Sequence, residues 1–183
     1  MNAPLRGGAP RSRSRLRRDA LAIFRAALRG ASPETAIRRH LRLEGRGGRA
    51  LLRVGRGLLS LEGVDRVLAV GAGKASAAMA REVEKVLGPR LAGGLVITKH
   101  GHGLPCRRLE IREAGHPIPD RAGAEATAAL LNLLREAGPR DLVLCLLSGG
   151  GSSLLVAPAP GLTLRAKQRV TDLLLRAGAS IGE

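Results

Sequence analysis

The stretch that decides the fold is LVLCLLSGGGSSLL, residues 142–155. Its first half has the length and composition of a buried strand, and it ends abruptly in glycines and serines. The glycines allow a sharp turn and a close approach of the backbone to a ligand. Such a loop suits an anion, although a glycine-rich connection without a ligand has the same composition. The candidate anion-binding residues are Ser148, Gly149, Gly150, Gly151, Ser152 and Ser153.

A second unit of the same kind lies upstream. Residues 66–70 read as a strand, Gly71 and Gly73 break it, and residues 75–87 read as a helix. Gly71 and Gly73 are further candidate phosphate-binding residues. Lys74 lies at the mouth of this loop, where it could reach an anion held at the helix N-terminus. The alternative is a solvated lysine at a helix start. A cation is unfavourable at that end of a helix unless an anion compensates it, which favours a ligand.

The upstream loop is an imperfect dinucleotide-binding fingerprint. Ser76 stands where the third glycine or alanine would be expected, and the next strand-like run ends in Lys99 instead of an acid. These departures weaken the hypothesis of a nicotinamide cofactor.

Three of the four histidines fall in two loops, residues 98–103 and 113–120. A zinc site would need further ligands, and the two cysteines lack the spacing of metal ligands. Hydrogen bonding between loops is therefore the favoured role, and no metal ligand is assigned. We take His102, His116 and Asp120 as supporting loop residues, with Asp120 also placed to cap the helix that follows.

Four motifs occur in a fixed order, namely VGAGKA at 70–75, TKHGHG at 98–103, AGHPIPD at 114–120 and LSGGGSSLL at 147–155. Together they resemble the N-terminal half of the glycerate 2-kinase family. Members of that family carry a C-terminal MOFRL domain, and many are labelled hydroxypyruvate reductase. The resemblance runs from about residue 16 to the last residue, so we expect an incomplete N-terminal domain, C-terminally truncated.

The resemblance implies a kinase that uses ATP and Mg²⁺ to phosphorylate D-glycerate to 2-phosphoglycerate. The reactive lysine of the family falls on Lys74, and its glycine-rich loop falls on residues 148–152. Its partner arginine lies in the half of the family's proteins that this chain lacks, so this chain alone is expected to be inactive. Two alternatives stay open: an NAD(P)H-dependent hydroxypyruvate reductase and a non-catalytic anion-binding module.

Composition limits the partners. The chain has 183 residues, a net charge of +16 and a single aromatic side chain, Phe24. Nucleic-acid stacking platforms need aromatic side chains, so we expect no specific nucleic acid. No apolar run reaches membrane-spanning length, and we expect no membrane association. The two cysteines suggest free thiols in the cytoplasm, with Cys145 as a core residue; the oligomeric state is left open.

The chain is expected to consist of a disordered, arginine-rich tail over residues 1–14 and one α/β domain over residues 15–183. Alternating elements predict a Rossmann-like, mainly parallel sheet with helices on both faces. The last helix is expected to turn Val170, Leu173 and Leu174 toward the core. The predicted helices cover 15–29, a short segment after Ser32, 49–59, 75–87, 121–137 and 164–177, and the predicted strands cover 66–70, 94–98, 109–113 and 141–147.

Overall fold

The computed structural model describes residues 12–45 and 49–180. In chain order its elements are α1 Arg13–Gly30, α2 Pro33–His40, β1 Leu41–Glu44, β2 Leu51–Val54, β3 Gly57–Ser60, β4 Arg66–Ala72, α3 Ser76–Leu87, a 3₁₀ turn Gly88–Arg90, β5 Leu91–Lys99, β6 Leu109–Ala114, α4 Arg121–Arg135, β7 Asp141–Leu147, α5 Gly151–Leu154 and α6 Leu164–Ala177.

The main sheet has four strands in the order β6-β5-β4-β7, and every neighbouring pair is parallel. Alternate residues of β4 face opposite sides of this sheet. Val67 and Ala69 join the core beneath α3, whereas Val70 and Ala72 join the core beneath α4. The predicted Rossmann-like α/β architecture, with helices on both faces, is therefore confirmed. The chain order reverses between β4 and β7, which is where open α/β sheets bind their ligands.

A second, antiparallel sheet of three short strands, β1-β2-β3, packs against α2 and α3. The predicted helix over residues 49–59 is wrong, because this segment forms the hairpin β2–β3. Gly55 has a φ of +59°, which lets the chain reverse between the strands. Leu52 is fully buried, so the hairpin contributes to the core beneath α3.

Neither terminal helix has a buried residue in the described part of the chain. α1 begins at Arg13, so the last two residues of the expected tail belong to it; residues 1–11 lie outside the described part. The core placement of Val170, Leu173 and Leu174 is wrong, since these side chains are 55%, 57% and 46% exposed. No described element covers that face of α6, so its apolar residues remain open to solvent.

The placement of Cys145 in the core is also wrong. Its strand, β7, pairs only with β4 among the described strands, and Cys145 is exposed on this edge strand. Other boundaries shift by a few residues: β5 begins at Leu91, earlier than expected, and α4 ends at Arg135. No helix in the described ranges is long and apolar enough to cross a membrane.

Candidate anion-binding site

The two glycine-rich loops form one hydrogen-bonded unit at the carboxyl edge of the sheet. The Lys74 amide donates to the Gly149 carbonyl at 2.9 Å, and the Ser148 amide donates to the Ala72 carbonyl at 3.1 Å. The Ser148 hydroxyl accepts a hydrogen bond from the Ala75 amide at 3.0 Å. The loops that follow β4 and β7 therefore meet at the point where the strand order reverses.

Two glycines allow this close approach. A Cβ atom on Gly73 would lie 2.0 Å from the Ser148 hydroxyl oxygen, and the φ of Gly73 is +145°. A Cβ atom on Gly71, within β4, would lie 2.1 Å from the Leu146 carbonyl oxygen. Real Cβ contacts are essentially never this short, so the contact between the two loops requires glycine at 73 and the pairing of β4 with β7 requires glycine at 71.

Ser76 and Thr98 hold the same junction, and sequence reasoning gave neither of them a role. The Ser76 hydroxyl donates to the Leu146 carbonyl at 3.2 Å and lies 3.3 Å from the Ser148 hydroxyl. The buried Thr98 hydroxyl donates to the Gly73 carbonyl at 3.1 Å. Ser76 occupies the place of the third fingerprint glycine, where a small residue allows close helix–strand packing. The small side chain at this fingerprint position is the sequence signal for its role.

The side chain of Lys74 is exposed at this edge and runs beside the second loop. Measured from a Cβ atom placed on Gly150, the Lys74 Cγ atom is 3.3 Å away and the His116 Nε2 atom is 2.7 Å away. Lysine, imidazole and glycine backbone therefore lie side by side. Burial lowers the pKa of His116, and the charges of Lys74 and Lys99 lower it further. These effects favour the neutral form of the imidazole.

The other predicted anion-binding residues, in the loop that follows β7, are partly or fully exposed to solvent. Gly149 and Ser152 are exposed, Gly150 has a φ of +90°, and α5 begins at Gly151. The amide of Ser153 donates to the Gly150 carbonyl at 3.2 Å. The amides of residues 149–152 donate to no acceptor in the described part of the chain. These free donors beside an ammonium group can take up an anion.

The Glu113 carboxylate fixes the loop of residues 98–103. Glu113 accepts the amides of Gly101 at 3.1 Å and Gly103 at 2.6 Å, and these bonds lower its pKa. The side chain of His102, which this loop carries, is exposed. The structure brings His116 next to Lys74, and among the described contacts none joins His102 to Lys74.

Asp120 is the N-cap of α4, as predicted, and accepts the Gly123 amide at 2.8 Å. Its other oxygen lies 2.8 Å from His100 Nε2. Burial opposes the ionisation of Asp120, but hydrogen bonds from the Gly115 amide, His100 and the Gly123 amide outweigh it, so its pKa is lowered. Within residues 12–45 and 49–180, no three histidine, cysteine or acidic side chains are grouped to hold a metal ion.

Residues 19–183 match a protein family described as a domain of unknown function, DUF4147. The chain belongs to this family.

Its relatives confirm the resemblance to the glycerate 2-kinase family. The chain is 46% identical over 121 residues to the D-glycerate 2-kinase of Thermotoga maritima, which covers 66% of this chain and 29% of that protein. It is 48% identical over 120 residues to a provisionally named hydroxypyruvate reductase of Agrobacterium vitis, covering 66% of this chain and 31% of the relative.

A solved structure confirms the fold of this DUF4147 chain. The crystal structure of a glycerate kinase from Thermotoga maritima superposes with a TM-score of 0.71 at 34% identity, covering 92% of this chain and 37% of that one. The chain therefore spans about a third of the length of the relatives it matches.

Proposed function

We propose that this chain supplies the anion-binding part of a kinase that transfers a phosphoryl group from ATP to the 2-hydroxyl of D-glycerate. The observation that carries the proposal is the junction of the Lys74 loop with the Ser148 loop at the switch point of the sheet. The glycerate kinases among its relatives support the substrate.

Phosphoryl transfer depends mainly on positioning and on neutralising the charge of the moving group. In this proposal the ammonium of Lys74 and the free amides of residues 149–152 hold the phosphate or carboxylate oxygens. Ser148 has a different task, because its hydroxyl already joins the two loops through the Ala75 amide and Ser76. The neutral imidazole of His116, beside Lys74, could accept a hydrogen bond from the substrate hydroxyl.

The described residues suit the phosphates of ATP better than they suit Mg²⁺. Free amides and a lysine suit the phosphates of ATP. Mg²⁺ prefers carboxylate and water oxygens, and the nearby acids Glu113 and Asp120 are already engaged by loop amides and His100. The described residues therefore offer no dedicated Mg²⁺ ligands, and we assign no step to the metal here.

The reductase alternative is tested with the kinase because relatives carry both names. In a dinucleotide site, an acid at the end of the second strand binds the ribose. Here β5 occupies that place in the sheet and ends in Lys99. A lysine there disfavours the free 2′-hydroxyl of NADH but suits the 2′-phosphate of NADPH, so this position weighs only against an NADH-dependent reductase and both cofactors are assayed.

The test joins residues 1–183 to the remaining part of the Thermotoga maritima kinase. ADP release with D-glycerate is measured beside NADH and NADPH oxidation with hydroxypyruvate. We expect ADP release by the joined protein and little or none by the chain alone. Lys74→Ala should abolish most of it, and Lys74→Arg should not rescue it, because a planar fork cannot replace a compact ammonium in a tight loop. Lys167→Ala, on α6, is the matched control.

Two results would change the assignment. Cofactor oxidation without ADP release would replace the kinase by the reductase. Protection of the chain from proteolysis by glycerate or ATP, with no turnover in any joined protein, would favour the non-catalytic module. We also propose a cytoplasmic location, because Cys106 and Cys145 are unpaired, as is usual in a reducing compartment.

A further inference from the structure

A cavity of about 710 Å³ lies at the other end of α3, away from Lys74. α3 begins next to the carboxyl edge of the sheet and ends near the start of β5. The cavity opens between this helix end and the segment that leads into β6. It therefore lies at the amino edge of the parallel strands, and it shares no lining residue with the candidate site described above.

The lining of this cavity is strongly basic. Its four cationic side chains are Arg81, Lys85, Arg107 and Arg108, and Glu84 is its only acid. Both carboxylate oxygens of Glu84 are occupied, since they accept the backbone amides of Arg107 at 2.8 and 2.9 Å and of Arg108 at 3.0 Å. The acid thus fixes the loop, while the cationic groups leave the cavity with excess positive charge.

The basic groups are only partly satisfied by the protein. Arg81 reaches Glu34 at 3.5 Å, and Lys85 pairs with Glu82 at 3.0 Å. The Nε atom of Arg81 is buried and has no hydrogen-bond partner in the described ranges. The guanidinium of Arg107 makes no ion pair with any described residue. The carbonyl end of α3 accounts for a cation at Lys85, but Arg107 lies on a different segment.

We propose that this cavity is a second anion site, and that it binds a compact phosphate-bearing anion with at least two negative charges. Guanidinium groups present paired donors that match phosphate oxygens, and three of the four cations here are arginines. The proposal does not depend on the kinase assignment. Cys106 also lines the cavity; burial and the Glu84 carboxylate raise its pKa to about 11, so its slow alkylation, followed at alkaline pH, reports occupancy.

The probe is pyrophosphate, and the background is Lys74→Ala with Cys145→Ser, which weakens the first anion site by removing its ammonium group and leaves Cys106 as the single thiol. Binding is measured by calorimetry at 0.15 M salt, and occupancy is measured by the rate at which iodoacetamide alkylates Cys106. We expect one saturable site and a several-fold slower alkylation when pyrophosphate is bound, because the ligand blocks access and its charge disfavours the thiolate.

Arg107→Ala should weaken pyrophosphate binding about tenfold or more, since it removes charge-assisted hydrogen bonds while keeping the backbone amide that holds Glu84. Arg107→Lys should recover part of the loss. Arg56→Ala is the matched control: it removes the same charge from the exposed turn between β2 and β3. Thermal melting checks that each variant folds. Equal weakening by Arg56→Ala and Arg107→Ala, or no saturable binding, would overturn the proposal in favour of general attraction to a basic chain.

Discussion

The substitution Gly73→Ala tests how tightly the two glycine-rich loops are locked. Its Cβ atom would be placed 2.0 Å from the Ser148 hydroxyl oxygen and 2.7 Å from the Ser148 carbonyl oxygen, on a backbone with a φ of +145°. The backbone term costs about 1–3 kcal/mol, and overpacking costs a further 1–3 kcal/mol or so. We therefore expect the free energy of unfolding to fall by roughly 2–6 kcal/mol.

The matched control is Gly161→Ala. Gly161 also has a positive φ, +88°, but a Cβ atom there would meet nothing within 4 Å. Only the backbone term then applies, about 1–2 kcal/mol. For a chain of this size, 1 kcal/mol corresponds to roughly 2–4 °C in Tm, so a mid-range difference of about 2.5 kcal/mol should separate the two variants by about 5–10 °C in a thermal melt. Equal melting temperatures would refute the argument that Gly73 is needed for the approach of the Ser148 loop.

Three further predictions use other contacts. Lys74→Ala should raise the pKa of His116 in an NMR titration, because it removes a nearby positive charge. The pKa should stay below its ordinary value, since burial is the larger cause of its lowering. An unchanged pKa would show that the charge of Lys74 does not act on His116. Glu113 contributes stability that is present above its ordinary pKa of 4.5 and is lost as pH falls through its lowered pKa in the folded protein. Glu113→Gln should therefore make the free energy of unfolding, measured with urea, fall less steeply as pH is lowered. A fall as steep as that of the parent chain would contradict this. Thr127→Val should cost about 1–3 kcal/mol in the same assay, because the buried Val156 amide, which donates to this hydroxyl at 2.8 Å, loses its acceptor; a neutral effect would mean that the amide finds another partner.

The parallel sheet was predictable because its strands are apolar runs and two of them end at glycine-rich turns. The hairpin over β2 and β3 was not, since short apolar pairs such as Leu51-Leu52 and Leu58-Leu59 also recur at helical spacing. The exposure of the apolar face of α6 could not be predicted from the sequence, for a different reason. An apolar stripe shows that a helix face favours burial, but it does not say which element covers that face.

The residues of the candidate site likewise fall into those that the sequence identifies and those that it does not. The glycines and Lys74 could be identified because a backbone turn and a charge at a strand end are local features. The tasks of Ser76 and Thr98 could not, because each depends on a carbonyl supplied by a different strand or loop. His116 illustrates the same limit: its neighbour in space, Gly150, lies far along the chain, and only the fold brings them together.

The pairing of β4 with β7 has a consequence for how the protein is made. Its first register pair, Arg66 with Asp141, joins residues 75 positions apart, and the length-dependent entropy of closing such a loop is about 4 kcal/mol. During synthesis, β4 and β5 can pair while β7 is still inside the ribosome. The Lys74 loop therefore gains its partner loop only after residue 150 has emerged, so the anion-binding junction is assembled after the rest of the sheet. A nascent chain that stalls before that point would contain Lys74 and β4 but would lack the second loop that completes the anion-binding junction.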